Sequence, residues 1–273
     1  MTKPDSDKAF AGSIPKAYET HLVPLIFEPY AADLARRITE IAPARVLEIA
    51  AGTGVVTRAL ASALPETVPI VATDLNQPML DIAAARGTSR PVEWRQADAM
   101  SLPFDDATFD VVVCQFGVMF FPDRAKAFAE TRRVLKPGGT FVFNVWDRLA
   151  DNDFAAVVSS AVAALFPDDP PGFLARTPYA YNDPAIITRD FAAGGFTAPP
   201  RIETVTERSR AASPGVPAIG FVQGTPLRTE VEARDASRVA EATARATDEL
   251  AARFGTGAVD GRIQAIVVTA QRT

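Results

Sequence analysis

The sequence has few of the residues that build disulfides, metal centres and membrane spans. Its 273 residues include one cysteine, Cys114, and one histidine, His21, so an internal disulfide is impossible and no Cys/His spacing indicates zinc. No apolar run approaches the roughly 20 residues that a membrane helix needs. The polar first eight residues lack the apolar segment of a signal peptide. We therefore expect a cytoplasmic protein without a metal centre or membrane association.

An excess of positive charge is also missing. Lys and Arg number 28 against 33 Asp and Glu, a formal net charge of −5 without long runs of one sign. Binding nucleic acid through its phosphates requires clustered basic residues, so no nucleic-acid partner is expected. The abundance of Ala, and of Arg over Lys, is typical of a GC-rich bacterial genome. No pattern indicates an oligomeric state.

Strand-like and helix-like segments alternate from Ile38 to Trp146. This alternation predicts an α/β fold with a parallel sheet covered on both faces. The predicted strands are residues 45–49, 70–73, 92–96, 109–115 and 140–145. A helix is expected from 124 to 135, and the Lys-Pro-Gly-Gly of residues 136–139 should end it before the next strand begins.

Beyond Trp146 the pattern becomes less regular. Residues 154–165 and 239–254 have helical spacing, and residues 202–208 and 263–269 read as strands. The segment 214–226 is rich in Pro and Gly and is expected to be irregular. One interpretation places part of this segment in the wall over the acceptor substrate, and a surface loop is the alternative. The residues concerned are Gly220, Phe221, Gly224, Thr225 and Pro226.

The most informative segment is residues 45–54, RVLEIAAGTG, in which an apolar strand runs into a glycine turn. Open α/β sheets bind ligands at this end of their strands. Gly52 and Gly54 permit a sharp turn and a close approach to the backbone. Glu48 precedes the turn and would repel a phosphate, whereas a cationic amine or sulfonium would be tolerated. The turn predicts a phosphate-free nucleoside, for which S-adenosylmethionine is the obvious candidate.

Two further acids follow the next strands. Asp74 ends the second strand and can accept both hydroxyls of a ribose, a placement shared by adenosylmethionine and NAD sites. Thr57 stands where the dinucleotide pattern has its third glycine, which favours adenosylmethionine. Asp98 follows the third strand, where it can accept from the adenine amine or act as a turn or cap residue.

Five motifs in register carry a family resemblance. They are VLEIAAGTG at 46–54, DLN at 74–76 with Met79-Leu80, ADA at 97–99 with LPF at 102–104, FDVV at 109–112, and RVLKPGG at 133–139. The chain resembles class I S-adenosylmethionine-dependent methyltransferases of the small-molecule group that includes ubiquinone and menaquinone biosynthesis methyltransferases. The resemblance implies a Rossmann-like sheet of seven mostly parallel strands, an antiparallel last strand and a cap insertion.

The implied organisation has four regions. Residues 1–37 form an N-terminal helical lid, and residues 38–148 form the cofactor-binding core. Residues 149–234 form a cap with the sixth strand, and residues 235–273 supply a helix and strand that complete the sheet. Aromatic residues of the cap region suggest an apolar small-molecule acceptor or else packing core: Phe154, Phe166, Phe173, Tyr179, Tyr181, Phe191 and Phe221.

The resemblance also implies cofactor contacts. Glu48 and the backbone around Ala50 and Gly52 would hold the amino-acid end, Asp74 the ribose, Leu75 and Met79 the adenine face, Asp98 and Ala99 the adenine edge, Gln115 the methionine portion, and Tyr18 the methionine carboxylate. The family usually has glycine where this chain has Ala50, which makes tight cofactor binding a point to test.

Other residues keep two interpretations. Packing of a surface helix is the other interpretation of Tyr18, and His21 is a catalytic base or a structural residue. Cys114 is expected to be a small buried residue. Trp146 and Asp147 would line the acceptor pocket, although Asp147 would also suit a cap for the next helix.

The expected activity is methyl transfer to an O, N or C atom of a small molecule. No catalytic residue is assigned, because proximity and orientation supply most of the acceleration in such a displacement. The alternatives are an NAD-dependent oxidoreductase and a non-catalytic adenosylmethionine-binding module.

Overall fold

The computed structural model describes residues 7, 10 and 12–273. The chain divides into two compact units. The sheet unit comprises residues 30–145, 181–205 and 265–273, and the helix-rich unit comprises the described residues of 1–29 together with 146–180 and 206–264. The four regions expected from the sequence stay a prediction.

A seven-stranded sheet is the main element of the fold, with strand order β3-β2-β1-β4-β5-β7-β6. The strands are β1 Val46–Glu48, β2 Ile70–Asp74, β3 Glu93–Gln96, β4 Phe109–Gln115, β5 Leu135–Trp146, β6 Arg201–Ala211 and β7 Val259–Gln271. The first five pair in parallel. Arg272 exchanges backbone hydrogen bonds with Gly138 and Gly139, as an antiparallel neighbour does. The predicted Rossmann-like sheet is confirmed.

Eleven α-helices occur in the described residues. They are α1 Ile14–Ala17, α2 Glu28–Ile41, α3 Val55–Ala63, α4 Gln77–Arg86, α5 Arg124–Val134, α6 Asp153–Ala163, α7 Phe173–Arg176, α8 Pro184–Ala193, α9 Gly215–Gln223, α10 Leu227–Asp235 and α11 Val239–Phe254. Single 3₁₀ turns cover Val118–Phe120, Leu149–Asp151 and Ala236–Arg238. None of the helices in this part of the chain combines the length and apolarity that crossing a membrane requires.

The core of the sheet unit explains why its central strands are apolar throughout. Leu34 and Ile38 of α2 and Leu60 of α3 pack against Val111 and Val142 of the strands, and all are buried. The opposite face carries Phe residues of α5, α8 and β5. A strand covered on both faces has apolar residues at successive positions instead of alternating polar and apolar ones. β4 shows this pattern.

Two expectations about local structure are wrong. The segment 136–139 lies within β5, because β5 already pairs with β4 at Leu135 and a register shift near Asp110 absorbs the extra residues. The segment 214–226 is mostly helical, since α9 occupies Gly215–Gln223. A proline in the first turn of a helix costs no hydrogen bond, so Pro217 is tolerated there.

The helix-rich unit contains an uncommon element directly after α1. Residues Tyr18–Phe27 form a π-helix between α1 and α2, with Pro24 inside it. Proline has no backbone N–H, so an ordinary α-helical ladder would lose a bond at this residue. π-helical turns are often found at functional sites.

Candidate functional site

The glycine turn after β1 has the left-handed backbone that its sequence suggests. Ala50, Gly52 and Gly54 have φ values of +54°, +57° and +81°. A Cβ at Gly54 would lie 2.8 Å from the Trp94 ring and 3.1 Å from the Ala83 methyl. Glycine is therefore required at 54 both by conformation and by the close approach of β3 and α4.

Glu48 lies at the end of β1 with 1% of its surface exposed. Its Oε2 accepts a 2.5 Å hydrogen bond from the hydroxyl of Thr57, itself completely buried in α3. Burial raises the pKa of Glu48 to about 8; the Thr57 hydrogen bond and the charge of Arg58 oppose this, and the charge of Asp74 adds to it. At the position of the third dinucleotide glycine, Thr57 thus donates a hydrogen bond to a carboxylate instead.

Asp74, at the end of β2, holds the turn together. It is 7% exposed, and its two oxygens accept backbone N–H groups of Gly52 and Asn76, each at 2.8 Å. Burial raises the pKa of Asp74, and these hydrogen bonds oppose the rise. Oδ1 also accepts the Asn76 side-chain amide at 3.5 Å, whereas Oδ2 keeps a second lone pair, so the arrangement leaves acceptor capacity for a ribose hydroxyl.

The residues expected near the adenine lie along the neighbouring strand ends. Leu75 is 47% exposed, a high value for a large apolar side chain, whereas Met79 and Ala99 are buried. Ala97 N–H donates to the Asp74 carbonyl at 3.0 Å, which joins the tips of β2 and β3. Asp98 accepts the Met100 N–H at 2.9 Å, so its turn role is present; its contact with adenine stays a prediction.

Gln115 lies on the same sheet face as Glu48. Glu48 pairs with Val113, and Gln115 is two residues further along β4, a spacing that returns a side chain to the same face. Gln115 pairs in turn with Asn144 of β5. The structure therefore brings Glu48, Gln115 and Asn144 onto one face near the carboxyl ends of three neighbouring strands.

Asn144 is a site residue that the sequence analysis missed. It is completely buried, and its Oδ1 accepts the backbone N–H of Phe116 at 2.9 Å. Phe116 has a φ of +50°, so Asn144 stabilises a strained turn directly after β4. A polar residue within the apolar run FVFNVW was the available signal.

The methyl group of Ala50 is accommodated by Gly117. A Cβ at Gly117 would lie 2.5 Å from the Ala50 Cβ and 2.7 Å from the Cys114 sulfur. The family usually has glycine at position 50; here the extra methyl group of Ala50 fits because residue 117 is a glycine. Cys114 is buried as predicted, and burial raises the pKa of its thiol far above the usual range.

Tyr18 belongs to the helix-rich unit. It starts the π-helix, half-buried, with ring-centroid distances of 4.9 Å to Phe27 and 5.9 Å to Phe10. A Cβ at Gly224 would lie 3.0 Å from the Tyr18 nitrogen, so Gly224 makes this packing possible. The contact of Tyr18 with a methionine carboxylate stays a prediction.

The remaining candidates of the helix-rich unit are also placed. His21 lies half-buried in the π-helix beside Gly220, and neither of its interpretations is decided. Trp146 is buried between Phe27 and Tyr179, at centroid distances of 6.0 and 5.8 Å.

Two alternatives left open by the sequence are wrong. Asp147 accepts from the Gln264 side chain at 2.7 Å, and Asn152 occupies the N-cap of α6, so Asp147 does not cap that helix. Gly220, Phe221, Gly224, Thr225 and Pro226 are buried, which excludes a surface loop.

Several cap aromatics are packing residues. Phe191 stacks on Phe128 at 4.5 Å and on Phe143 at 5.6 Å in the sheet unit. Phe154 packs edge-on against Phe254 at 5.1 Å. For these positions the packing interpretation is supported.

Known proteins with similar sequences are methyltransferases. A methyltransferase-domain family, Methyltransf_11, matches residues 47–143. The demethylmenaquinone methyltransferase of Thermus thermophilus is 44% identical over 117 residues, which cover 41% of this chain and 50% of that protein. That of Deinococcus radiodurans is 33% identical over 165 residues, covering 56% of this chain and 68% of that protein. The chain spans about half the length of most curated relatives that it matches.

A solved structure supports the fold. The YcgJ protein of Bacillus subtilis superposes with a TM-score of 0.55 and 21% identity, covering 89% of this chain and 98% of that chain. The family model covers the glycine turn, Asp74, Asp98 and Gln115, and the Deinococcus relative extends the likeness beyond it. The chain belongs to the class I S-adenosylmethionine-dependent methyltransferase family.

Proposed function

We propose that this protein transfers a methyl group from S-adenosylmethionine to a small-molecule acceptor. The observation that carries the proposal is the pair of buried carboxylates, Glu48 and Asp74, on either side of a left-handed glycine turn. Negative charge at this place suits a ligand with a sulfonium and an ammonium. The family membership of the chain supports the same conclusion.

The chemistry of the turn argues against an NAD-dependent oxidoreductase. A dinucleotide site presents backbone N–H groups and a helix N-terminus to a pyrophosphate. Here the N–H of Gly52 is already donated to Asp74, and Thr57 replaces the glycine that allows close helix approach. A pyrophosphate would meet the Asp74 carboxylate at a Coulombic cost, and the buried Glu48 offers it no positive charge.

The protein residues would act by binding and orientation. Glu48, with the backbone at Ala50 and Gly52, would hold the amino-acid end of the cofactor, Asp74 the ribose, and the exposed Leu75 one face of the adenine. The cofactor supplies a methyl group that is already activated by its bond to sulfur. Placing the acceptor in line with that bond supplies most of the acceleration, and a hydroxyl acceptor would additionally need a base.

We further propose that the acceptor is apolar and contains a ring. Two of the relatives are named as demethylmenaquinone methyltransferases, which is consistent with such an acceptor. Within the helix-rich unit, the aromatic rings of Tyr18, Phe27, Trp146 and Tyr179 follow one another at centroid distances of 4.9 to 6.0 Å. Aromatic faces stack favourably on a flat ring; of these four rings Tyr18 is half-buried and the other three are buried, so Tyr18 is the member we propose for that contact.

Calorimetry and a transfer assay test the proposal. S-adenosylhomocysteine and NAD are titrated into the protein, and methyl transfer from labelled S-adenosylmethionine is measured with a panel of quinols, phenols and amines. We expect binding of the homocysteine compound, none of NAD, and transfer to a ring acceptor. Tight NAD binding alone would favour the oxidoreductase, and binding without transfer to any acceptor would favour the non-catalytic module. The cytoplasmic location stays a prediction.

A further inference from the structure

The Glu48–Thr57 pair is an unusual device for a ligand-binding turn. Both side chains are at least 99% buried, and a 2.5 Å hydrogen bond joins their oxygens. A carboxylate removed from water in this way is costly to keep ionised unless a cation faces it. The charged groups of the surrounding elements therefore decide whether Glu48 is ionised.

Among the residues that the structure describes, one cation and one further acid act on the charge of Glu48. From α3, the Arg58 guanidinium donates to the Thr53 carbonyl at 2.6 Å rather than to Glu48. From β2, the Asp74 carboxylate adds negative charge, and from β4 the Cys114 thiol is neutral. Thr57 is the donor that favours the ionised form of Glu48. The field at Glu48 therefore favours the protonated acid until another cation arrives.

We propose that Glu48 and Thr57 make cofactor binding proton-linked: Glu48 carries a proton in the free protein at neutral pH and releases it to solvent when the α-ammonium of the cofactor binds. This inference rests on the proposed function. The proton leaves a Glu48 carboxyl oxygen for the buffer, and the α-ammonium keeps its three protons. Thr57 acts as a positioning residue, since its hydroxyl favours the carboxylate that the ammonium requires.

The linkage has a direct consequence for affinity. When one proton must leave before an ion pair can form, the association constant rises tenfold per pH unit below the pKa of the acid. Burial sets the pKa of Glu48 at about 8, so the rise should cover pH 6 to 7.5. Substrate and product both carry the ammonium, so both should show it.

The test is calorimetric proton counting at pH 6.5, where an α-amino group of ordinary pKa is almost fully protonated. S-adenosylhomocysteine is titrated into the full chain in buffers of different ionisation enthalpy. We expect release of about one proton per molecule bound and a tenfold gain in affinity from pH 6 to 7. The matched ligand is 5′-methylthioadenosine, which keeps the nucleoside and lacks the ammonium; it should bind without proton release.

Variants separate the two residues. Glu48→Gln should bind S-adenosylhomocysteine more weakly, with no proton release and a flat pH profile between 6 and 7.5. Thr57→Val removes the hydroxyl and should move the pH profile upward, while Thr57→Ser should restore it. Asp105→Asn replaces an exposed acid outside the predicted site and should leave the proton count unchanged. Circular dichroism checks that each variant is folded.

Two results would overturn the inference, and they are distinguishable. Binding by the unmodified chain without proton release, or with the same release in Glu48→Gln, refutes proton linkage and leaves the methyltransferase proposal standing. Absence of S-adenosylhomocysteine binding refutes both.

Discussion

The contact between Ala50 and Gly117 gives the sharpest prediction about how this turn tolerates a departure from its family. Gly117 has a φ of −100°, which any residue adopts, so an added methyl group meets only a steric obstacle. That methyl would overlap Ala50 Cβ at 2.5 Å and Cys114 Sγ at 2.7 Å. The Ala50 methyl can yield only by backbone movement, and the buried Cys114 sulfur can yield only by changing rotamer in a packed site.

The magnitude follows from these two overlaps. Overpacking a tight site costs about 1–3 kcal/mol, and we place Gly117→Ala near the upper end because two atoms are too close. Ala50→Gly removes left-handed backbone strain of about 1–2 kcal/mol. It also loses a methyl contact and increases the entropy of the unfolded chain, two destabilising effects that together are about as large. The net change in the free energy of unfolding should therefore be near zero. The double variant removes the shorter overlap and should recover about half of the loss.

Urea unfolding of the four proteins measures this cycle. We expect a coupling free energy of about 1 kcal/mol between positions 50 and 117. Gly257→Ala is the matched control, because a methyl group there meets nothing within 4 Å, and its free energy of unfolding should stay within about 0.5 kcal/mol of the unmodified chain. Additive effects, with coupling near zero, would show that the methyl group of Ala50 does not occupy the space beside Gly117.

Three further predictions concern the same turn. Since the pKa of Glu48 is raised to about 8 from about 4.3 in an unfolded chain, its contribution to stability is present below about pH 4 and is lost as the pH rises to 8. Glu48→Gln has no titrating carboxyl at this position and should lose this pH dependence. Its urea midpoint should therefore rise relative to that of the unmodified chain as the pH increases; parallel pH profiles would contradict this. Asp74→Asn leaves an amide that can accept hydrogen bonds with only one atom. This should lower the free energy of unfolding by about 1–3 kcal/mol and S-adenosylhomocysteine affinity, measured by calorimetry, at least tenfold. An unchanged urea midpoint would refute the tethering of Gly52. Gly54→Ala should lower the thermal midpoint, and Trp94→Leu should restore part of the loss; failure to restore any would leave the left-handed backbone and the Ala83 contact as the causes.

The parts of the fold that sequence reasoning predicted are those set by local, strongly periodic signals. The strands β2 and β4 are almost unbroken apolar runs, and turn residues bound them. The glycine turn, Glu48 and Asp74 were identifiable because a parallel sheet brings the carboxyl ends of its strands to one edge. Separation along the chain therefore did not hide that these acids lie near one turn.

The misses depended on packing between distant segments. Whether residues 136–139 form a loop or part of β5 is decided by pairing with β4 at Phe109, which local turn chemistry cannot reveal. The helix α9 contains glycine and proline, but burial of Phe221 and Val222 outweighs their low helix propensity. Asn144 was missed because its partner is the backbone of Phe116, in the turn after the neighbouring strand β4.

The choice of ligand by this sheet rests on charge at very few positions. Glycine at position 57 would let α3 approach the strand and turn its N–H groups toward a phosphate. Threonine there fills the space and gives its hydroxyl to Glu48, while Asp74 takes the Gly52 N–H that a phosphate would otherwise bind. The same backbone that forms an anion site in one protein thus becomes a cation site when its donors are satisfied internally by carboxylates. On this reasoning Thr57→Gly in the present chain would lose adenosylmethionine affinity without gaining NAD, because Glu48 and Asp74 would remain.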